Sequence, residues 1–136
     1  MQVQGGCHCG YITYEADIDP EGVRICHCTD CQTLTGSAYR VNVQATKGSF
    51  KLLSGKPKLY VKTAESGTKR AHGFCPECGT PIYSAPNVPD PDVFGLRVGT
   101  IRQRAELSPK RMGWCRSAQS WAMNLESLPQ KPRNLY

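Results

Sequence analysis

Seven of the eight cysteines fall into three tight groups, Cys7/Cys9, Cys26/Cys28/Cys31 and Cys75/Cys78, and only Cys115 stands alone. Thiols one or two residues apart can aim at a common point, and few folds tolerate three such groups without a purpose for them. The first residues, Met1 to Gly6, show no charged n-region followed by an apolar h-region, so the chain reads as soluble and cytoplasmic, with reduced thiols. Clustered thiols in that setting are metal ligands before they are disulfides.

The metal is expected to be zinc, which takes thiolate and imidazole donors in a tetrahedron. Iron–sulfur clusters use similar ligands, but the one-residue gaps in Cys7/Cys9 and Cys26/Cys28 fit ferredoxin spacings poorly. Haem attachment needs a His directly after Cys-x-x-Cys, whereas Gln32 and Gly79 occupy those places. A thioredoxin-like pair needs a βαβ context, which the chain lacks.

Cys75-Pro76-Glu77-Cys78-Gly79 is a tight turn that supplies two ligands. Gly5-Gly6-Cys7-His8-Cys9-Gly10 supplies another two on a glycine-flanked bend. A site made from Cys7, Cys9, Cys75 and Cys78 has four thiolates and no vacancy, which is a structural role. Cys26, Cys28 and Cys31 have no fourth cysteine beside them, and three protein ligands plus a free position is the pattern of a catalytic zinc. His27, Asp30, His72 or Cys115 could still complete a second closed site, Cys115 being the most credible. His8 and His27 lie between ligand positions and read as surface or supporting residues, and His72 as a supporting one.

With 136 residues the chain reads as one domain, residues 1–136. Period-two alternation predicts strands over Tyr11 to Ala16, Tyr39 to Gln44, Phe50 to Leu53, Lys58 to Thr63 and Val93 to Thr100. Gly36, Gly48, Gly55, Gly67 and Gly79 mark the turns between them. Thr29 to Leu34 can form one short helical turn, and helix content should be low. Ala85 to Asp92, with three prolines, is expected to be a stiff loop. Trp114 and Trp121 are expected to pack on the sheet. There is no apolar run near the roughly 18 residues needed to cross a bilayer.

Net charge is +6, and Arg97, Arg102, Arg104, Lys110, Arg111 and Arg116 crowd the last third, which favours an anionic partner. Nucleic acid is unlikely, because no Lys/Arg run is interleaved with aromatics and no known nucleic-acid motif is present.

The order of motifs resembles one family: Gly-Gly-Cys-His-Cys-Gly, then Cys-His-Cys-x-x-Cys with Gln32 and Thr35-Gly36-Ser37, then Gly67-Thr68-Lys69-Arg70, then Phe74-Cys75-Pro76-Glu77-Cys78-Gly79-Thr80-Pro81. It is similar to the glutathione-dependent formaldehyde-activating enzymes, a family that includes centromere-protein-V-like proteins. The likeness runs from about Gly5 to Tyr83, more loosely to Thr100, and is weak after Gly113. It implies a mainly β chain, a β-tent of twisted antiparallel sheets braced by two zinc ions. The structural ion would sit on Cys7, Cys9, Cys75 and Cys78, and the catalytic one on Cys26, Cys28 and Cys31. The implied activity is that of a carbon–sulfur lyase, forming or cleaving the adduct of glutathione with formaldehyde or a similar carbonyl. Arg40, Lys69, Arg70 or Arg97 could hold the carboxylates of glutathione. The rival reading is a zinc-stabilised, non-enzymatic module whose basic face binds nucleic acid or a protein. Oligomeric state is not legible.

Overall fold

The computed structural model describes residues 1–135. The alternating runs become strands over most of their length: β2 (Thr13–Asp17), β4 (Arg40–Gln44), β5 (Lys51–Ser54), β6 (Lys58–Thr63) and β9 (Gly95–Arg97), the last shorter than the expected Val93 to Thr100 because Val98–Thr100 winds into a 3-10 turn closed by Ile101 N–H to Val98 O. Five more strands were not foreseen: β1 (Gln2–Gly6), β3 (Arg24–Cys26), β7 (Lys69–Phe74), β8 (Pro81–Pro86) and β10 (Arg111–Gly113). The helix α1 (Thr29–Thr35) follows the cysteine triplet, with Cys28 as its N-cap and Gly36 ending it in the left-handed region at φ 62°. The expected loop is two residues shorter than Ala85 to Asp92, since β8 runs through Ala85 and Pro86 before the chain leaves the sheet.

Two sheets form. The smaller has the order β1-β2-β5 and the larger β10-β3-β4-β9-β8-β7-β6. All pairings are antiparallel except β10 with β3, so the larger sheet is mixed at that edge. Val3, Tyr14, Val43 and Leu96, one face of their strands, are buried between the sheets with Ile12 and Ile101. An aromatic cluster adds to this core: Phe50 stacks on Phe94 at 4.4 Å, and Tyr83 meets Phe94 edge-on at 4.9 Å. The Tyr14 hydroxyl is paired with Thr100 Oγ1 at 2.7 Å, which satisfies its one polar atom at the centre of the core.

The other side of the larger sheet is polar. Directly opposed residues of a ladder share a face, as do residues two apart on one strand. The registers Cys26↔Arg40, Arg24↔Asn42, Asn42↔Arg97, Ser84↔His72 and His72↔Tyr60 therefore put the cysteine triplet, three arginines and a histidine on one surface. Helix α1 folds over it, held where Asp30 pairs with Lys62 of β6 at 3.0 Å.

Candidate metal centres and the adjoining pocket

The turn Cys75 to Thr80 is closed by Gly79 N–H to Cys75 O at 2.8 Å and Cys75 N–H to Thr80 O at 2.9 Å, with Gly79 at φ 79°. Against it lies the bend after β1, where Cys7 N–H donates to Ile12 O at 3.0 Å. The four sulfurs of Cys7, Cys9, Cys75 and Cys78 all lie within 4.8 Å of one another. Cys7 and Cys9 are 3.6 Å apart, and Cys9 and Cys75 3.8 Å. Four thiolates at about 2.3 Å from a tetrahedral zinc are separated by about 3.8 Å, so the donor set fits that ion. All eight cysteines are free.

Donors surround these sulfurs as they do thiolates. Ile12 N–H donates to Cys7 Sγ at 3.2 Å, and Glu77 and Cys78 N–H to Cys75 Sγ at 3.4 and 3.5 Å. Thr80 Oγ1 lies 3.1 Å from Cys78 Sγ and accepts from His8 N–H at 3.1 Å. Hydrogen bonding from the Thr80 side chain and backbone brings the Cys78 thiol down to about 5. His8 is exposed and takes part through its backbone only.

The sulfurs of Cys26, Cys28 and Cys31 also converge within 4.8 Å, and no fourth His, Cys, Asp or Glu atom joins them among the described residues. Cys26 comes from the end of β3, Cys28 from the cap of α1 and Cys31 from its first turn, where Cys31 N–H donates to Cys28 Sγ at 3.3 Å. The Cys26 thiol is lowered to about 7, chiefly by a hydrogen bond from Cys31, whose own thiol is raised by that same bond and by burial. The neighbouring Arg40 guanidinium pulls in the other direction. Gln32 braces the loop: its amide donates to His27 O at 2.8 Å and Ser117 O at 2.9 Å, and Gln119 donates to its oxygen at 2.9 Å.

Each residue that could have closed this second site is engaged elsewhere. Asp30 is tied to Lys62. Cys115 is exposed on a 3-10 turn, outside both thiol groups. His27 is neither at the surface nor part of either thiol group. It is 1% exposed, edge-on to Tyr39, with Nε2 3.5 Å from Met112 Sδ, because it alternates to the side of β3 opposite Cys26. His72 Nδ1 accepts from Arg97 Nη2 at 3.1 Å, which places the proton of the neutral ring on Nε2. Burial and then the charges of Arg97, Arg40, Lys62 and Arg70 bring its pKa down to about 4.

One concavity borders the triplet, and a second lies beside Arg40, the cross-strand partner of Cys26. A groove of about 520 Å³ is lined by Cys28, Asp30, Lys62, Trp114 and Arg116. A smaller pocket of about 290 Å³ is lined by Arg40, Arg97 and His72 together with Leu34, Tyr60 and Phe74. Arg40 and Arg97 were candidates for carboxylate binding, and both line this pocket. Arg70 shares their face but spends a donor on Ser84 Oγ at 3.1 Å, while Lys69 alternates to the other side and is exposed. Trp114 and Trp121 are not packed in the core: they are 46% and 58% exposed, since the segment after β10 runs outward past the sheet. Trp114 sits at φ 54° with the Arg116 guanidinium 4.9 Å over its ring. Nor do the basic residues of the last third build one face, because Arg97 is buried while Arg102 and Arg104 lie beside Cys7.

The family model described as the glutathione-dependent formaldehyde-activating enzyme matches residues 2–117. This chain belongs to that family. The match runs to residue 117, a few residues beyond Gly113 where the likeness was expected to weaken, and takes in β10 and the 3-10 turn Cys115–Ser117. A crystal structure of a Rhodobacter sphaeroides protein from a structural-genomics programme is similar in fold, with a TM-score of 0.60 and 20% identity over 80% of this chain and 98% of that one. No curated protein matches the sequence significantly. Membership ties the chain to glutathione- and formaldehyde-related chemistry, and its two cysteine groups could each hold a metal ion. Among the described residues no helix is long and apolar enough to cross a membrane.

Proposed function

We propose that this chain is a zinc-dependent carbon–sulfur lyase-like enzyme that joins a small anionic thiol such as glutathione to formaldehyde or a similar carbonyl, or cleaves that adduct. The observation that carries this reading is the convergence of three thiols with no fourth donor beside them. In this reading Cys26, Cys28 and Cys31 hold the catalytic zinc, and Cys7, Cys9, Cys75 and Cys78 hold a structural one. The chain acts as one domain. A zinc with a free coordination position supplies acidity to an incoming thiol at neutral pH and polarises a carbonyl oxygen.

The chain's own residues do the rest. Gln32 and the cap at Cys28 fix the loop that carries the three sulfurs, so no reorganisation is needed when the substrates arrive. The wide groove along Cys28 takes the thiol, with the Trp114 ring and the Arg116 guanidinium as a flat cationic wall for its peptide and carboxylate. The positive charge of Arg40 beside Cys31 offsets the negative charge that three thiolates bring together. In the addition the sulfur–carbon bond forms, the carbonyl π bond breaks, and the thiol proton ends on the new hydroxyl.

Zinc-loaded protein mixed with glutathione and formaldehyde should accelerate adduct formation over the uncatalysed rate, followed by NMR. Absence of acceleration with two zinc ions bound per chain removes this substrate assignment. Salt-sensitive binding to generic DNA in the same preparation would favour the non-enzymatic alternative.

A further inference from the structure

Two buried arginines line the smaller pocket without a carboxylate partner. Arg40 is 4% and Arg97 7% exposed, and the Nε atom of each is buried with no hydrogen-bond partner. Arg97 spends its other donors on Asn42 Oδ1 at 2.7 Å and His72 Nδ1 at 3.1 Å, both neutral groups. Every ion pair among the described residues uses a lysine, so no arginine is neutralised by an acid. Burying one guanidinium is costly, and burying two side by side adds their repulsion. Burial and the neighbouring charge of Arg40 accordingly hold Arg97 down to about 9.

The cysteine triplet offsets only part of this charge. Three thiolates on a divalent ion sum to one negative charge, whereas Arg40 and Arg97 bring two positive ones. Lys62, on the same face, is matched by Asp30. With Arg70 on the same face as well, the balance stays positive at a pocket that Leu34, Tyr60 and Phe74 also line. Such a site has the chemistry for one carboxylate on a short apolar body. Its volume of about 290 Å³ far exceeds what a one-carbon aldehyde fills.

Building on the function proposed above, we propose that the Arg40–Arg97 pocket is a subsite for the carbonyl substrate, and that this substrate is a small aldehydic or oxo acid rather than formaldehyde. The carboxylate meets the guanidinium groups, the carbon chain lies along Leu34 and Tyr60, and the carbonyl end reaches the triplet past Arg40. The thiol adds across the carbonyl, forming sulfur–carbon and oxygen–hydrogen bonds as the sulfur–hydrogen bond and the carbonyl π bond break. No oxidant or reductant is required.

The test begins with unreactive probes on zinc-loaded protein. Butyrate should bind at least tenfold more tightly than butyramide by saturation-transfer NMR, and saturating glutathione should leave butyrate bound. In Arg97→Met the preference should fall to near one with the zinc content unchanged. Leu34→Trp, which fills the pocket from the rim of α1 and leaves both arginines in place, should abolish butyrate binding. In turnover, kcat/KM for 4-oxobutanoate should exceed that for butanal at least tenfold, and Arg97→Met should erase the difference. Equal binding of butyrate and butyramide, displacement of butyrate by glutathione, loss of zinc from Arg97→Met, or Leu34→Trp binding butyrate normally would each overturn the subsite. Turnover of formaldehyde alone would leave the proposed function standing and sink this refinement.

Discussion

Cys78→Ser and Cys28→Ser each remove one thiol from a candidate metal centre, yet the two changes should differ in their cost. The four-thiol group ties residues 66 apart, from Cys9 to Cys75, whereas Cys26 to Cys31 spans five positions. Cross-link entropy grows as three-halves of RT times the logarithm of loop length, so the long tie restricts the unfolded chain by about 2 kcal/mol more than the short one. At about 3–5 °C per kcal/mol for a chain of this size, Tm should fall about 6–10 °C further in Cys78→Ser than in Cys28→Ser. Calorimetry on both variants and the parent, with zinc counted by elemental analysis in the same samples, measures this directly. Each variant should lose one of two equivalents. Equal Tm losses, or a Cys78→Ser protein that keeps the parent's Tm, would refute the assignment of the first group as the structural tie.

Other outcomes follow from particular contacts. A Cβ at Gly5 would stand 2.2 Å from the Tyr14 ring, which is fully buried, so Gly5→Ala should cost on the order of 1–3 kcal/mol in chemical denaturation. His72 is lowered to about 4 in the folded chain from an ordinary value near 6.5. The unfolded chain therefore binds the extra proton first, and the stability His72 contributes is intact above pH 6.5 and lost as pH falls toward 4. His72→Asn should flatten the dependence of Tm on pH across that window; an unchanged slope contradicts the assignment. Trp114→Ala removes an exposed ring, so Tm should shift by less than about 1 kcal/mol equivalent while KM for glutathione rises several-fold in steady-state assays.

The parts of the fold visible in the sequence are those where local chemistry decides. Lys58 to Thr63, rich in β-branched and aromatic residues and bounded by Pro57, is a strand over the span expected, and Gly36 and Gly79 end their elements as left-handed residues. The grouping of Cys7 and Cys9 with Cys75 and Cys78 was legible because a paired turn with only two thiols demands a second pair. Strands β1, β7 and β8 were hidden by glycine and proline, which read as punctuation, yet Gly5 and Gly73 are there because Tyr14 and Tyr83 lie directly against them. The arginine-lined pocket was half legible. Arg40 and Arg97 are 57 positions apart, and only the pairing of β4 with β9 brings them to one face. The two tryptophans misled because size was taken for burial, while an outward-running segment leaves a ring free to serve a groove.

Strand β10 reaches its place by the one parallel pairing among the described residues, Gly113 lying opposite Cys26, with His27 N–H donating to Gly113 O at 3.0 Å. A growing polypeptide therefore presents the thiol triplet early, soon after Cys31 leaves the ribosome, but cannot wall it in until the chain has been made past Gly113. Until then these thiols stand open to the surrounding solution. Delivery of metal to them can thus precede completion of the protein that will enclose it.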